Sequence, residues 1–213
     1  MTTGHRWFAA AYDWLGAPLE RGWLGERRER LLACATGAVL EIGAGTGANL
    51  PHYRGVARVV LAEPDPFMRA KLHPKLHAAR VPVEVIPAPA EALGCPDSSI
   101  DTVVSTLVLC TVADVVASLA EIRRVLRPGA RLLFLEHVRG EGRAARWQDR
   151  LDPVWRRLGG GCHPNRATVE AIEDAGFVIA GLERFRPPLP QAALMPMVQG
   201  IATRAQSGNG SSA

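Results

Sequence analysis

The sequence lacks several features that would place it in common protein classes. Its four cysteines include no C-x-x-C pair, so their spacing indicates neither a zinc site nor a thioredoxin-like motif. Their wide spacing favours free thiols in a reducing compartment over a disulfide framework. Residues 1–16 lack the basic start, apolar run and cleavage site of a signal peptide. Because Arg, Glu, Pro or Gly interrupts each apolar stretch, we expect no transmembrane segment and predict a cytoplasmic, enzyme-sized domain.

The charge pattern argues against a dedicated nucleic-acid-binding protein. The formal net charge of +4 is modest, and Arg, which supplies nearly all of the cationic charge, is scattered along the chain. This pattern favours a solvated surface and predicts no nucleic-acid partner. The Arg-rich segment 139–157, with Trp147 and Trp155, leaves contact with a membrane surface as a less favoured alternative. The sequence indicates no particular oligomeric state.

The order of the predicted elements indicates a doubly wound α/β fold. With 213 residues, the chain has the length of one sizeable domain. Short, nearly continuous apolar runs are typical of strands buried on both faces of a parallel sheet. Helical segments alternate with these runs, which predicts a Rossmann-like, mostly parallel sheet with helices on both faces. The predicted strands are 38–42, 58–62, 83–87, 100–106 and 131–137, and the predicted helices are 66–79, 113–126, 140–158 and 166–175.

The C-terminal part departs from this alternation. Residues 177–184 and 195–204 are predicted to form two final strands, as an antiparallel pair at one edge of the sheet. The helix before residue 127 is expected to end at Arg127-Pro128-Gly129, a stop signal for helices. The predicted division is one domain over 1–204, made of a helical cap (1–36) and a cofactor-binding core (37–204) with a basic helical insertion (139–158), followed by a low-complexity, disordered tail (205–213).

A glycine-rich loop after the first predicted strand carries the strongest functional signal. Its sequence is LEIGAGTG at 40–47, and the loop is expected to open a helix at about Ala48. Glycines let the backbone adopt positive φ and approach a ligand without interference from a Cβ atom. Glu63 ends the second predicted strand, about twenty residues after the first glycine, where a carboxylate can bind ribose hydroxyls. Together the two features predict a cofactor that contains adenosine.

Two classes of cofactor fit this loop. Gly43, Gly45 and Ala48 satisfy the G-x-G-x-x-G/A pattern of dinucleotide-binding proteins, which leaves an NAD-dependent oxidoreductase open. Two details favour a sulfonium cofactor instead, because a third glycine falls early, at Gly47, and Glu41 places a carboxylate just before the loop. A pyrophosphate binds best at an undisturbed helix N-terminus without a nearby carboxylate. A sulfonium compound is positively charged, so the same carboxylate would favour it.

Several segments resemble the class I S-adenosylmethionine-dependent methyltransferases, in the order typical of that family. They are LEIGAGTG, the acidic end of the second strand, SIDTVVSTLVLCTV at 99–112 and EIRRVLRPGARLLFLEHV at 121–138. The segments STLVLCTV, VLRPGARLLFLEHV, GCHPNR and ERFRPP resemble the small thiol S-methyltransferase branch of the family. Upstream, FAAAYDWLG resembles the N-terminal cap of quinone and phospholipid methyltransferases. The similarity to the thiol branch extends over residues 39–204.

The resemblance implies S-adenosylmethionine as the cofactor and S-adenosylhomocysteine as its product. The glycine loop would surround the methionine part, Glu63 would hold the ribose, residues 90–91 would lie beside the adenine, and residues 106–107 would lie below the sulfonium. Pro89 departs from the pattern, since many family members place there an Asp that binds the adenine amino group. The implied cofactor-binding residues are Glu41, Gly43, Ala44, Gly45, Gly47, Glu63, Pro64, Ala90, Glu91, Thr106 and Leu107.

Methyl transfer requires the protein mainly to align the acceptor with the methyl group and to exclude water. A thiol acceptor has an ordinary pKa of about 8.5 and reacts as the thiolate, so a nearby base would help. His137, at the end of the fifth strand, and His163, after three glycines, are candidate helpers, and Tyr12 could line the same pocket. Structural roles for both histidines stay open. Cys110 and Cys162 are expected to be small buried residues, and no metal is predicted.

The sequence therefore predicts a class I methyltransferase that acts on a small, lipophilic acceptor. Resemblance alone favours a thiol. One alternative is an N-, O- or C-methyltransferase of a phospholipid head group, a quinone or a secondary metabolite. An NAD-dependent oxidoreductase and a module that binds the cofactor without turnover also stay open.

Overall fold

The computed structural model describes residues 17–158, 161–188 and 192–205. Residues 1–16 of the predicted cap, which include Tyr12, and nearly all of the predicted tail lie outside these residues. The strands are β1 (Ala38–Ile42), β2 (Arg58–Ala62), β3 (Val83–Ile86), β4 (Ile100–Thr106), β5 (Leu126–His137), β6 (Phe177–Phe185) and β7 (Met197–Arg204). The α-helices are α1 (Trp23–Leu32), α2 (Pro66–Leu72), α3 (Val115–Val125), α4 (Gly142–Leu158) and α5 (Thr168–Asp174).

The seven strands form one sheet in the order β3-β2-β1-β4-β5-β7-β6. Pairing is parallel from β3 through β5. Strand β7 then runs antiparallel between β5 and β6. The order in which the strands are added to the sheet reverses between β1 and β4. In such sheets ligands bind outside the carboxyl ends of the strands at this switch point. The predicted doubly wound fold with an antiparallel C-terminal edge is confirmed.

Two hydrophobic clusters cover the two faces of this sheet. Successive residues of a strand point to opposite faces, so Leu40 and Val39 of β1 belong to different clusters. Helices α3 and α5 pack on the face of Leu40, and α1 packs on the face of Val39. Because both faces are covered, every residue of β1 is buried. The carboxyl ends of β1, β4 and β5 are thereby fixed from both sides.

The helix expected at Ala48 does not form, so that prediction is wrong. Turns follow the glycines, and the segment ends in the short 3-10 helix Leu50–His52. Gly45 and Gly47 have φ values of +57° and +84°, which a right-handed helix does not allow. Pro51 also lacks the N–H that a helix would use. The chain therefore offers no α-helix N-terminus at the point where a pyrophosphate would bind.

Two other predicted boundaries are also wrong. The helix over 66–79 stops at Leu72 and continues as the 3-10 helix His73–Ala78, because Pro74 cannot donate the next helical hydrogen bond. Strand β5 begins already at Leu126, directly after α3, so Pro128 and Gly129 lie inside the strand. No helix in the described ranges is long and apolar enough to span a membrane.

Candidate active site

The glycine loop after β1 exposes its backbone at the switch point. Gly43 has a φ of +56°, and a Cβ atom there would lie 2.6 Å from the Val108 side chain, so only glycine fits. At Gly45, by contrast, the nearest atom to an added Cβ would be 3.9 Å away. The N–H of Ala44 donates to the carbonyl of Ala62 over 3.1 Å, which ties the loop to the end of β2. The backbone around Gly45 is therefore held in place and open to a ligand.

Glu63 lies directly after β2 and contacts this loop. Its Oε2 accepts a hydrogen bond from the Gly45 N–H at 2.7 Å, and its Oε1 accepts one from the Asp65 N–H at 2.8 Å. Burial raises the pKa of Glu63, while the two backbone hydrogen bonds oppose this shift. Each carboxylate oxygen has a second lone pair, so the group can still accept hydrogen bonds from ligand hydroxyls. Pro64 follows it at the same edge and is half-buried.

A buried polar network joins α1 to the carboxyl ends of β1 and β4. Arg28 of α1 donates from Nη1 to Asn49 Oδ1 at 2.8 Å and to Thr106 Oγ1 at 2.7 Å. Asn49 Nδ2 in turn donates to Glu41 Oε1 at 3.0 Å. The hydroxyl of Tyr53 donates to Glu41 Oε2 at 2.6 Å. Arg28, Asn49 and Tyr53 are not among the residues predicted from the sequence, although an arginine on the apolar side of a helix is a signal for such a network.

Glu41 is engaged inside this network and is almost fully buried. Burial raises its pKa to about 7, although the hydrogen bond from Tyr53 and the charge of Arg28 oppose that shift. In its ionised form Glu41 adds negative charge next to the glycine loop, which suits a positively charged ligand. Because its oxygens bind Tyr53 and Asn49, its direct contact with the cofactor stays a prediction.

A second buried carboxylate, Glu136, fixes the loop that follows β4. Its Oε1 accepts hydrogen bonds from the Ser105 hydroxyl at 2.6 Å and from the backbone N–H groups of Val108 and Leu109 at 3.0 Å each. Leu107 enters this loop with a φ of +62°. Glu136 was not predicted from the sequence, although a single acidic residue in the apolar run LLFLEHV is an identifiable signal. The loop below the predicted sulfonium position is therefore held rigidly.

The residues predicted to contact the adenine follow β3. Ala90 is buried, whereas Glu91 is half-buried and its Oε1 accepts a hydrogen bond from the Asp114 N–H at 3.2 Å. Glu91 therefore connects this segment to the start of α3. Pro89 accepts a hydrogen bond at its carbonyl from the Ala92 N–H at 3.1 Å, which forms a turn. The adenine contacts stay predictions.

The two candidate catalytic histidines have different neighbours. His137 ends β5, and its Nδ1 lies 3.6 Å from Cys162 Sγ and 3.8 Å from Cys110 Sγ. Hydrogen bonding with Cys110, and then with His137, holds the pKa of Cys162 well below its usual range despite burial. His163 Nδ1 lies 3.1 Å from Asp152 Oδ1 of α4. The N–H of His163 also donates to the Cys110 carbonyl at 2.7 Å, so the segment 161–166 packs against the loop after β4.

Comparison with known proteins identifies the family. The Methyltransferase domain family matches residues 40–134. Human thiol S-methyltransferase TMT1B is 38% identical over 172 residues, which cover 78% of this chain and 70% of that protein. The chain belongs to the thiol S-methyltransferase family. Human thiol S-methyltransferase TMT1A is 36% identical over the same shares of the two chains.

Solved structures confirm the fold of this methyltransferase. Geranyl diphosphate C-methyltransferase from Streptomyces coelicolor A3(2), solved with S-adenosyl-L-homocysteine, superimposes with a TM-score of 0.70 at 14% identity. The superposition covers 85% of this chain and 78% of the other. With its membership of the thiol S-methyltransferase family, this fold makes the enzyme a class I methyltransferase that depends on S-adenosylmethionine. The NAD-dependent alternative finds no support, since its phosphate site would need the missing helix at Ala48.

The site's own features fit this cofactor. The open backbone at Gly45 suits a close ligand, and the free lone pairs of Glu63 suit a pair of hydroxyls. The buried carboxylate of Glu41 suits positive charge, which a pyrophosphate lacks. Glu63 and the glycine loop are thus the residues that would hold the cofactor.

Proposed function

We propose that this methyltransferase transfers a methyl group to the sulfur of a small, lipophilic thiol. Its similarity to human TMT1B, over most of both chains, is the observation that carries the proposal. The packing of two segments that resemble the thiol branch adds support. Segment 161–166 meets the loop after β4 through the hydrogen bond from His163 to Cys110. Both segments lie near the carboxyl ends of β4 and β5, where an acceptor would have to approach the cofactor.

In this scheme the residues of the chain bind the cofactor, align the thiol with the methyl group and remove the thiol proton. S-adenosylmethionine supplies a methyl group on a positively charged sulfur, which is a good leaving group. Glu63 and the glycine loop hold the cofactor, and the buried network around Thr106 keeps the floor of the site in place. Asp152 engages Nδ1 of His163, so Nε2 is the ring nitrogen that accepts the thiol proton. His163 is therefore a better candidate base than His137, whose Nδ1 lies against two sulfur atoms.

An acceptor panel tests this function directly. Purified protein is incubated with methyl-labelled S-adenosylmethionine and a small alkyl thiol, a hydroquinone, a phenol or an amine of similar size. We expect labelled product from the thiol. Transfer to the hydroquinone alone would favour the alternative, since ubiquinone/menaquinone biosynthesis C-methyltransferase from Hahella chejuensis is 38% identical over 108 residues, or 48% of this chain.

The role of His163 is tested by substitution to asparagine. We expect His163→Asn to lower kcat below the pKa of the thiol, where a base contributes most, while the Kd for S-adenosylmethionine stays unchanged. His77→Asn serves as the control, because His77 is an exposed histidine in the 3-10 helix after α2. An unchanged pH profile of kcat in His163→Asn would show that His163 is not the base and has a structural role.

The location and boundaries of this enzyme also stay predictions. The four cysteines are free, which supports the predicted reducing, cytoplasmic compartment. The proposed acceptor is a small molecule, and no nucleic acid takes part in the scheme. The division of the chain into cap and core stays a prediction, and contact with a membrane surface through α4 stays a less favoured alternative.

A further inference from the structure

Two cysteines and a histidine form a compact cluster at the carboxyl end of the sheet. Cys110 comes from the loop after β4, His137 is the last residue of β5, and Cys162 lies in the segment before α5. Cys110 is fully buried, Cys162 is 6% exposed and His137 is half-buried. The three residues are far apart in the sequence, so no short sequence motif indicates the cluster. The fold alone brings these metal-ligating atoms together.

The distances within the cluster match those between ligands of one metal ion. The two Sγ atoms are 3.7 Å apart, and His137 Nδ1 lies 3.8 Å and 3.6 Å from those of Cys110 and Cys162. A tetrahedral zinc ion has Zn–S bonds of about 2.3 Å and Zn–N bonds of about 2.0–2.1 Å. With tetrahedral angles, those bond lengths place two sulfurs about 3.8 Å apart and a sulfur and a nitrogen about 3.6 Å apart. The three atoms therefore already occupy one face of such a tetrahedron.

The backbone around the cluster is fixed by other groups. The Cys110 N–H donates to Glu136 Oε2 at 3.2 Å, and the Cys110 carbonyl accepts from the His163 N–H at 2.7 Å. The Thr168 hydroxyl donates to the His137 carbonyl at 3.3 Å. The backbone that carries Cys110 and His137 is thus held in place by other groups. The fully buried carboxylate of Glu136, one hydrogen bond away, also favours a positive charge at this place.

We propose that Cys110, His137 and Cys162 bind one zinc ion. Two sulfurs and an imidazole are soft and borderline ligands, which select zinc over magnesium or calcium. Binding would displace the thiol protons into solvent and leave both sulfurs as thiolates. The part of the chain that the structure describes supplies three ligands, so the fourth position would hold water or another donor. The ion would tie segment 161–166 to the loop after β4, at the edge where the acceptor arrives.

Metal analysis of purified protein is the direct test, and it requires no knowledge of the acceptor. Protein expressed with added zinc and freed of loose metal by gel filtration should contain one zinc per chain. Cys162→Ser and His137→Asn should lose this zinc. The matched control is the double variant Cys34→Ser and Cys95→Ser, which removes the two cysteines outside the cluster and should keep the zinc. Zinc retained in both cluster variants would overturn the site.

Cobalt substitution gives a second readout that does not depend on the folding of a variant. After zinc is removed with a chelator, Co²⁺ added to the unchanged protein should produce sulfur-to-cobalt charge-transfer absorption and the visible bands of a tetrahedral site. Cys162→Ser should lack both, whereas the double control variant should show both. Absence of these bands in the unchanged protein, together with zinc far below one per chain, would overturn the proposal. A mass two hydrogens lower without bound metal would show a Cys110–Cys162 disulfide and overturn it equally.

Discussion

Substituting Glu63 by glutamine replaces one carboxylate oxygen with an NH2 group and keeps the length of the side chain. The carboxylate now accepts N–H bonds from Gly45 at 2.7 Å and from Asp65 at 2.8 Å, and an amide oxygen can replace only one of these acceptors. Hydrogen bonds to charged groups contribute about 1.5–3 kcal/mol each, so losing one of the two to the ribose hydroxyls costs about 1.5–3 kcal/mol. At about 1.4 kcal/mol per factor of ten, the Kd for S-adenosylmethionine should rise roughly 10- to 100-fold.

Calorimetric titration of Glu63→Gln with S-adenosylmethionine and S-adenosylhomocysteine measures this loss. Glu84→Gln is the matched control, because it makes the same chemical change at an exposed residue of the neighbouring strand β3. Circular dichroism verifies that both variants are folded, and NAD should bind to neither. A folded Glu63→Gln protein whose Kd stays within about threefold of the unchanged enzyme would refute the ribose assignment.

Two further predictions concern the buried carboxylates. Glu136→Gln leaves one backbone N–H of the loop after β4 without an acceptor, so the free energy of unfolding in urea should fall by about 1–3 kcal/mol; an unchanged midpoint would contradict this. Burial, opposed by Tyr53 and Arg28 and reinforced by the charge of Glu63, raises the pKa of Glu41 from 4.5 to about 7. The folded protein therefore binds this proton more tightly than the unfolded chain, and the contribution of Glu41 to stability falls as the pH rises from about 4.5 to 7. Glu41→Gln should flatten that part of the curve of unfolding free energy against pH, and parallel curves would argue against the assignment.

The local sequence pattern predicted the bounds of the central strands correctly. It failed for β5, whose start depends on an irregularity of the backbone. The bounds of β1, β2 and β4 agree with the prediction, because continuous apolar runs between polar or glycine positions mark strands buried on both faces. Strand β5 starts earlier because its register against β4 shifts between Ile100 and Thr102, which accommodates Pro128 and Gly129 inside the strand. The same two residues look like a helix terminator in the sequence. Pattern alone marks the end of α3 correctly and does not reveal that a strand begins immediately after it.

The residues of the site likewise divide into those that a local sequence pattern indicates and those that only the fold reveals. The proximity of Glu63 to the glycine loop could be predicted because both lie in short, contiguous segments at strand ends. Arg28 could have been predicted only as a buried charge, since it shares the apolar stripe of α1 with Leu24 and Leu32, at i+4 spacing. A buried charge must have partners, but those partners, Asn49 and Thr106, come from other parts of the chain. Sequence periodicity thus reveals that a polar group is buried, and only the fold reveals which groups it contacts.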